Sequence, residues 1–321
     1  MDQAGSVAAQ RALIGAVRGF AQRYCRDSPL CIGLSGGADS LALTAAAVRA
    51  GLTVHAVVVD HQLQAGSSAV AQRAAAVARD LGATAQVQAV TVDGPGGMEA
   101  AARQARYAAF NDVRDGRPVL LGHTLDDQAE TVLLGLGRGS GTRSLAGMRG
   151  WASPWGRPLL GLRRSQTRAA CQGWDLPIWD DPHNEDPRFT RVRLRNEVLP
   201  LLDEVLGGGV PEALARTARQ LQDDADALDM PAADLLEECT YGRVLDIAPI
   251  VGVWAAVRTR VVRSWLLSVG APEPNFRVVS AVDSLIVDWS GQGAVAVGGD
   301  SDSRLLVARE GDELRAYRDQ R

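Results

Sequence analysis

The stretch CIGLSGGADSLAL, residues 31–43, constrains the fold more than any other part of the chain. The apolar run at 30–34 predicts a short buried strand, and residues 40–50 predict a helix. The glycines and hydroxyls between them therefore occupy a turn that leads from a strand into a helix. Such a turn favours a sheet whose strands are connected by helices.

Strands and helices alternate through the first half of the chain. The clearest strand is TVHAVVVD at 53–60, and further strands are predicted at 84–92 and 117–122. This alternation predicts an α/β fold with a doubly wound parallel sheet, whose ligands bind at the carboxyl ends of the strands. The helices between these strands are predicted at 67–81, 98–114 and 126–136.

The second half is divided by a breaker, GGGVP at 207–211. A polar, acidic helix is predicted after it, and short strands are expected near the end of the chain. Other helices are predicted at 165–173, 187–205, 251–269 and 276–288. We therefore predict a nucleotide-binding domain over 1–210, a helical linker over 211–238 and a small separate α/β domain over 239–321.

The charge of the chain is unevenly distributed around a net value of −4. All 34 basic residues are arginine, which we attribute to biased codon usage. The segment from Arg138 to Arg168 contains seven arginines and no acid, whereas acids gather in the predicted linker. A basic middle can present a positive face to a nucleic acid despite the negative total.

The cellular setting is predicted from the apolar runs and the cysteines. The most apolar stretch, residues 41–59, is interrupted by Arg49 and His55, so no membrane span is expected. The amino terminus does not resemble a signal peptide. No C-x-x-C pair occurs, which argues against a zinc site or a disulfide framework and favours the cytoplasm. The cysteines are Cys25, Cys31, Cys171 and Cys239.

The turn at residues 35–40 has the composition of a phosphate-binding loop. Gly36 and Gly37 let backbone N–H groups converge on an anion at the start of a helix, and two serine hydroxyls add donors. Asp39 would repel a phosphate unless a cation lies between them, which indicates a nucleotide with Mg²⁺. A tight glycine turn with Asp39 or Ser40 as the helix cap is an equally good interpretation of this stretch alone.

Further charged residues lie near predicted strand ends. Asp127 and Glu130 share one helix face, where two carboxylates either bind a cation or form an ordinary acidic first turn. His61 follows the strand at 53–60 and, taken alone, is more typical of a loop. Glu99 and Arg103 are spaced for a surface ion pair.

Together these stretches resemble the tRNA(Ile)-lysidine synthetases, a family of PP-loop ATP pyrophosphatases with an adenine nucleotide alpha hydrolase-like fold. SGGADS at 35–40 resembles the superfamily loop, and HTLDDQAET followed by RGSG (123–141) resembles the more specific family motif. The likeness also includes VVVDHQL (57–63), EAAARQARY (99–107) and WDDPHNEDPRFTRVRLRNEVLPLL (179–202). It is dense over residues 30–202 and weaker beyond.

The resemblance implies an ATP-dependent carbon–nitrogen ligase. Enzymes of this family adenylate the wobble cytidine of a minor isoleucine tRNA at its 2-carbonyl oxygen, and L-lysine then displaces AMP to form lysidine. Family members often pair as dimers, so a homodimer is expected, and the C-terminal domain is expected to contact the tRNA. The residues that the resemblance implies for ATP binding are Ser35, Gly36, Gly37, Asp39, Ser40 and His61, and Asp39 is also implied for Mg²⁺. Those implied for catalysis are Asp39, Asp127, Glu130 and His123, of which Asp127 and Glu130 would hold lysine. Those implied for tRNA and phosphate are Arg103, Arg106, Arg138, Arg191 and Arg195.

The sequence departs from the family pattern at Val192, His183 and Gln64, which affects individual contacts rather than the reaction. Two other functions are alternatives to this one. A PP-loop tRNA thiolase commonly carries C-x-x-C pairs, which this sequence lacks. A non-catalytic ATP-binding module would need no lysine pocket.

Overall fold

The computed structural model describes residues 3–26, 28–63, 66–93, 97–139 and 141–320, with the backbone alone at 99, 182 and 183. Gln64, one of the departures from the family pattern, lies outside the described residues, and so do the side chains of Glu99 and His183. The chain divides into two compact units. The first is Met1–Leu134 with Gly147–Thr217, and the second is Gly135–Ala146 with Ala218–Arg321.

The first unit is built on a mostly parallel sheet of order β3-β2-β1-β4-β6-β5. Every neighbouring pair is parallel except β5 and β6. Reversal of strand order about β1 is the doubly wound arrangement that the sequence predicted. The strands are β1 (Leu30–Gly33), β2 (Val54–Asp60), β3 (Thr84–Ala89), β4 (Val119–Leu121), β5 (Trp151–Ala152) and β6 (Trp155–Gly156).

The helices agree with the predicted α/β alternation, with one large addition. The amino-terminal helix, which sequence analysis did not assign, buries Leu13 and Val17. In chain order the helices are α1 (Gln3–Tyr24), α2 (Ala38–Arg49), α3 (Ser67–Asp80), α4 (Met98–Val113), α5 (Leu125–Arg138), α6 (Thr142–Leu145), α7 (Arg164–Gly173), α8 (Thr190–Arg193), α9 (Leu199–Val205), α10 (Val210–Cys239), α11 (Ala255–Ser268) and α12 (Phe276–Val287), with a 3-10 turn at Pro182–Glu185 and a π-helical turn at Leu194–Val198.

Helices cover both faces of the parallel sheet. Ile32 of β1 packs in a cluster with Leu13 of α1 and Leu41 of α2, whereas its neighbour Cys31 packs with Phe110 of α4. Adjacent residues of one strand thus enter opposite cores, because side chains alternate across a strand. This two-sided burial explains why β1 is apolar throughout.

Several predicted boundaries were wrong in detail. The single helix expected at 187–205 is α8, the π-helical turn and α9 in succession. The strand expected at 84–92 ends at Ala89, and the helix expected at 251–269 begins only at Ala255, because residues 251–253 form a turn after Ile250. The turn at 207–209 is confirmed, and Asp203 accepts a hydrogen bond from the Val210 amide at 2.8 Å where α10 begins.

The second unit contains an antiparallel sheet of order β7-β8-β11-β10-β9. Its core centres on the fully buried Trp265 of α11, which lies among Leu245, Val282 and Leu305. Helix α10 crosses the division between the units after Thr217. The strands are β7 (Thr240–Tyr241), β8 (Val244–Asp246), β9 (Val295–Gly299), β10 (Ser303–Glu310) and β11 (Glu313–Gln320).

Candidate active site

The glycine turn between β1 and α2 forms a closed loop at the carboxyl end of the central strand. Gly36 has a φ of +85°, which favours glycine because a side chain is strained there. Ser40 Oγ accepts a hydrogen bond from the Ser35 amide at 3.1 Å and donates one to the Gly37 carbonyl at 3.0 Å. Ser40 therefore holds the loop in shape, while Ser35 is exposed and accessible to a ligand.

Two neighbouring segments confine this loop. The Trp179 amide donates a hydrogen bond to the Gly36 carbonyl at 3.1 Å. At the end of β4, a methyl group on Gly122 would lie 2.9 Å from the Asp39 carbonyl carbon and 3.0 Å from the Ser40 nitrogen. Gly122 is thus required for the close approach of β4 to the start of α2.

Asp39 points from the first turn of α2 toward α7. Thr167 donates a hydrogen bond to its Oδ1, and Arg164 Nε lies 3.4 Å from its Oδ2. Burial raises the pKa of Asp39, although Thr167 and Arg164 act in the opposite direction. Among the described residues no cluster of three or more metal-binding side chains occurs. One carboxylate beside a phosphate loop still fits Mg²⁺, because that ion is commonly held by one or two carboxylates together with substrate phosphates.

Asp127 and Glu130 lie together at the start of α5, as their spacing predicted. Asp127 Oδ2 accepts hydrogen bonds from the amide and hydroxyl of Thr124 at 2.7 and 2.9 Å. Burial alone would raise the pKa of Asp127, but Arg164 and Thr124 outweigh it, so the pKa is lowered and the carboxylate stays ionised. The Glu130 side chain is only 1% exposed, and within the described residues its Oε2 accepts no hydrogen bond.

One guanidinium joins all three carboxylates. Besides its contact with Asp39, Arg164 places Nη2 at 2.5 Å from Asp127 Oδ1 and Nη1 at 3.5 Å from Glu130 Oε1. These carboxylates raise the pKa of Arg164 against the effect of its burial. Arg164 and Thr167 are site residues that the sequence patterns do not predict. The signal that pointed toward them was the acid-free arginine segment 138–168.

Two predicted substrate arginines also contact the buried glutamate. Arg195 Nε donates to Glu130 Oε1 at 2.8 Å, and Arg191 Nη1 lies 3.7 Å from Glu130 Oε2. Arg191 belongs to α8 and Arg195 to the π-helical turn, and such turns occur frequently at functional sites. Val192, a departure from the family pattern, lies between these two arginines in the sequence. Its side chain is buried and contributes to packing.

His123 lies beside this cluster at the end of β4. Arg157 Nε donates to His123 Nδ1 at 3.2 Å, and Arg157 Nη1 donates to the Arg149 carbonyl at 3.0 Å. Burial lowers the pKa of His123 to about 4, and the nearby arginines 157, 103 and 106 act in the same direction against Asp127. His123 is therefore neutral at physiological pH.

The remaining predicted residues lie around this centre or apart from it. Arg103 donates to the Tyr107 hydroxyl at 3.2 Å and stacks over its ring. His61 follows β2, and its Nδ1 is buried with no hydrogen-bond partner among the described residues. Burial and the charge of Arg106 lower the pKa of His61. Arg138 lies at the exposed end of α5, in the second unit.

Family models cover both parts of the chain. A PP-loop domain model matches residues 14–202, and a TilS substrate binding domain model matches residues 245–320. The first match contains every site residue described above.

Curated relatives match nearly the whole chain. It is 56% identical over 310 residues to the tRNA(Ile)-lysidine synthase of Nocardia farcinica, a match that covers 95% of this chain and 98% of the relative. It is 58% identical over 291 residues to the enzyme of the same name from Mycolicibacterium paratuberculosis, with 90% of each chain covered. It is 55% identical over 292 residues to that of Mycobacterium tuberculosis strain H37Rv, covering 89% of this chain and 90% of the relative.

A solved structure shares the fold over two thirds of this chain at low identity. The U34-tRNA thiolase NcsA from Methanococcus maripaludis, solved with its [4Fe-4S] cluster, aligns with a TM-score of 0.54 at 16% identity. The match covers 67% of this chain and 80% of the thiolase, and it concerns the fold alone.

None of the described helices combines the length and apolar composition needed to cross a bilayer.

Proposed function

The chain belongs to the tRNA(Ile)-lysidine synthases, and from this premise we propose that it uses ATP to join L-lysine to the 2-position of the wobble cytidine of a minor isoleucine tRNA. The observation that carries the proposal is the pair Asp127 and Glu130, which lie within reach of the same guanidinium as Asp39 of the phosphate loop. A cation-binding site thus adjoins a triphosphate-binding site, and the ligation of an amine by ATP needs both.

The phosphate loop provides for the first half of the reaction. Ser35, Gly36 and Gly37 present donors to the phosphates, and Ser40 holds them in place through its bonds inside the loop. Asp39 would hold Mg²⁺, which supplies charge neutralisation for the departing pyrophosphate. His61 Nδ1, at the end of β2, is buried and has no hydrogen-bond partner within the described ranges, which supports its assignment to the nucleotide base. Attack by the cytidine 2-oxygen on the α-phosphate then gives the adenylated cytidine and pyrophosphate.

Asp127 and Glu130 provide for the second half. Lysine carries an ammonium group, and two neighbouring carboxylates that are largely buried bind such a cation strongly because water screens them little. Glu130 Oε2 is a buried acceptor that accepts no hydrogen bond within the described part of the chain, which suits it to receive one from the ammonium. The ammonium gives one proton to a carboxylate of this pair, and the neutral amine then attacks C2 of the cytidine and displaces AMP.

His123 and the arginines are assigned to the nucleic acid and to developing charge. Because Arg157 donates to Nδ1 of His123, the ring proton is on Nε2, and the imidazole can donate a hydrogen bond to the cytidine base or its adenylate. Guanidinium groups bind phosphates through two parallel hydrogen bonds. We assign this role to Arg103, Arg106, Arg138, Arg191 and Arg195.

The cysteines argue against the thiolase alternative and support a reducing compartment. All four are buried free thiols, and the described residues contain no group of three that could hold a metal. Buried free thiols are typical of the cytoplasm, where we place the reaction. The homodimer expected from the resemblance is part of the proposal, and sedimentation velocity tests it.

Nucleoside mass analysis tests the proposed function. A minor isoleucine tRNA transcript is incubated with enzyme, ATP and lysine, with and without Mg²⁺, and then digested to nucleosides. The expected product is a wobble cytidine heavier by one lysine less one water, formed only when Mg²⁺ is present. Release of AMP that depends on tRNA, without modification of the cytidine, would reject lysine as the nucleophile. Absence of AMP would favour a non-catalytic ATP-binding module.

A further inference from the structure

Arg164 lies between the two substrate sites and contacts both. Its Nε faces Asp39 at 3.4 Å on the phosphate side, while Nη2 and Nη1 face Asp127 and Glu130 at 2.5 and 3.5 Å on the other side. We propose that Arg164 couples the sites: it holds the lysine-binding carboxylates until the triphosphate of ATP attracts its guanidinium, so that lysine binds tightly only after ATP. This inference rests on the proposed function.

On the lysine side, Arg164 competes for the oxygen atoms that an ammonium group needs. Asp127 Oδ2 already accepts two hydrogen bonds from Thr124, so Oδ1 is the oxygen left for a cation. Arg164 contacts this oxygen at 2.5 Å, while Arg195 Nη2 lies further from it at 4.0 Å. At Glu130, Oε1 is shared by Arg164 and Arg195. Two cations cannot both bind Asp127 Oδ1 closely without strong repulsion in a buried site. Lysine therefore binds Asp127 only as Arg164 leaves it.

On the phosphate side, Arg164 is placed to change partners. Asp39 lies in the first turn of α2, directly after the phosphate loop, so a triphosphate bound there brings several negative charges close to Arg164 Nε. A guanidinium has five donors in a planar fork and binds phosphate oxygens through two bonds at once. The triphosphate therefore competes for this guanidinium with Asp39 at 3.4 Å and with Asp127 at 2.5 Å.

Only the side chain of Arg164 has to move. Its backbone amide donates to Asp126 Oδ2 at 2.7 Å, which fixes the first turn of α7. The side chain is 20% exposed, so one edge of it already faces solvent rather than packed protein. A change of rotamer can therefore transfer the guanidinium from Asp127 toward the phosphates without unfolding the helix.

Coupling between two sites has a measurable size and is reciprocal. Typical coupling free energies correspond to a change in affinity of roughly 5- to 150-fold. We expect the lysine affinity of the whole chain to rise by a factor in this range when a nucleotide is bound. Lysine should raise the affinity for the nucleotide by the same factor.

Calorimetric titration of lysine tests the proposal, with and without Mg²⁺ and α,β-methylene-ATP, whose bridging carbon prevents cleavage. Arg164→Gln should bind lysine more tightly than the wild type in the absence of nucleotide, and the nucleotide should add little. Arg168→Gln is the matched control because Arg168 lies one turn further along α7 and pairs with Asp180 at the surface. It should keep the coupling of the wild type.

Three results would overturn the coupling. One is equal lysine affinity of the wild type with and without nucleotide, and another is weaker lysine binding by Arg164→Gln in both conditions, which would make Arg164 part of the lysine site. If Arg164→Gln does not fold, Arg164→Lys replaces it, since a single ammonium cannot contact three carboxylates. Arg164→Lys should bind lysine more tightly than the wild type in the absence of nucleotide. A lysine affinity equal to that of the wild type would be the third result that overturns the coupling. Nucleotide binding with no lysine binding to any variant would instead reject the proposed function.

Discussion

Arg157 donates through Nε to Nδ1 of His123 at 3.2 Å, and this one contact defines the protonation state of the imidazole. Arginine is always protonated in proteins, so Nδ1 must offer its lone pair and the ring proton must be on Nε2. Burial and three neighbouring arginines keep a second proton away. His123 can donate a hydrogen bond but is a poor proton acceptor near neutral pH, which favours orienting the base over removing a proton.

Arg157→Gln should allow His123 to adopt both neutral tautomers. Without the guanidinium, Nδ1 loses its donor and the pKa of His123 rises, because the positive charge of Arg157 helps to lower it. Nitrogen-15 NMR of the histidine rings should show Nε2–H alone in the wild type and a mixture of tautomers in the variant. Arg149→Gln is the control, since Arg149 contacts Arg157 through its backbone carbonyl at 3.0 Å, and the substitution retains that carbonyl. A variant that keeps the wild-type spectrum would contradict the assignment.

The stability of the protein should fall as the pH decreases below 6.5, in part because of His123. Its pKa is about 4 in the folded chain and near 6.5 when unfolded, so the unfolded chain binds the extra proton between these values. The contribution is complete above pH 6.5 and decreases by about 2 kcal/mol on going to about pH 5.

Urea unfolding of the wild type and His123→Gln at about pH 7.5 and about pH 5 measures this difference. The groups that face His123 are Asp127 and the arginines 157, 103 and 106, and they are retained in the variant. The variant should therefore lose less stability on acidification than the wild type. An equal loss in both proteins would show that His123 titrates normally.

Glu130→Gln should separate lysine binding from ATP binding. The substitution keeps the shape of the buried side chain but removes its charge, and a hydrogen bond to a charged group contributes about 1.5–3 kcal/mol. We expect lysine affinity to fall by roughly 10- to 100-fold while nucleotide affinity is nearly unchanged. Calorimetry with each ligand measures both. Glu197→Gln is the control, because Glu197 is half exposed and pairs with Arg193 at the surface. Equal loss of both ligands would contradict the division of the site.

Gly122→Ala should distort the phosphate loop although Gly122 lies outside it, at the end of β4. The added methyl group meets the backbone of Asp39 and Ser40 at 2.9–3.0 Å, so either β4 or the start of α2 must shift. Such overpacking costs about 1–3 kcal/mol, and nucleotide affinity should fall with it. Gly161→Ala is a matched control, because a methyl group there meets no atom within 4 Å. Thermal unfolding and nucleotide titration of both variants decide the point, and similar behaviour of the two would refute the close approach.

Local patterns were sufficient to predict the framework of the first unit. The apolar β1 and the valine-rich β2 are recognisable because strands buried on both faces carry continuous apolar runs. Helix α1 was missed because its buried positions, such as Leu13 and Val17, are separated by small and polar residues that dilute the periodic signal. The two-residue strands β5 and β6 are too short to show any period.

The site was predictable to the extent that its residues follow strand ends. Asp39 and Asp127 each come just after a strand of the sheet, so their proximity follows from the topology. Arg164 also follows a strand of this sheet, but β6 is only two residues long and gives no sequence signal. Arg164 lies 37 positions from Asp127 and 125 from Asp39 in the chain. Its role depends on how α7 packs against α2, which no local pattern encodes.

The hydrogen bond from Trp179 to the phosphate loop gives the molecule an internal optical reporter. An indole is fluorescent, and its emission shifts with the polarity and charge of its surroundings. Trp179 is half-buried, and its Cβ would lie only 3.9 Å from a methyl group at Gly36. Nucleotide entering the loop should therefore change the emission of this residue. The chain has seven tryptophans, so the emission of Trp179→Phe is subtracted from that of the wild type to obtain the signal of Trp179 alone. Ligand binding and loop motion can thus be followed in real time without attaching any dye.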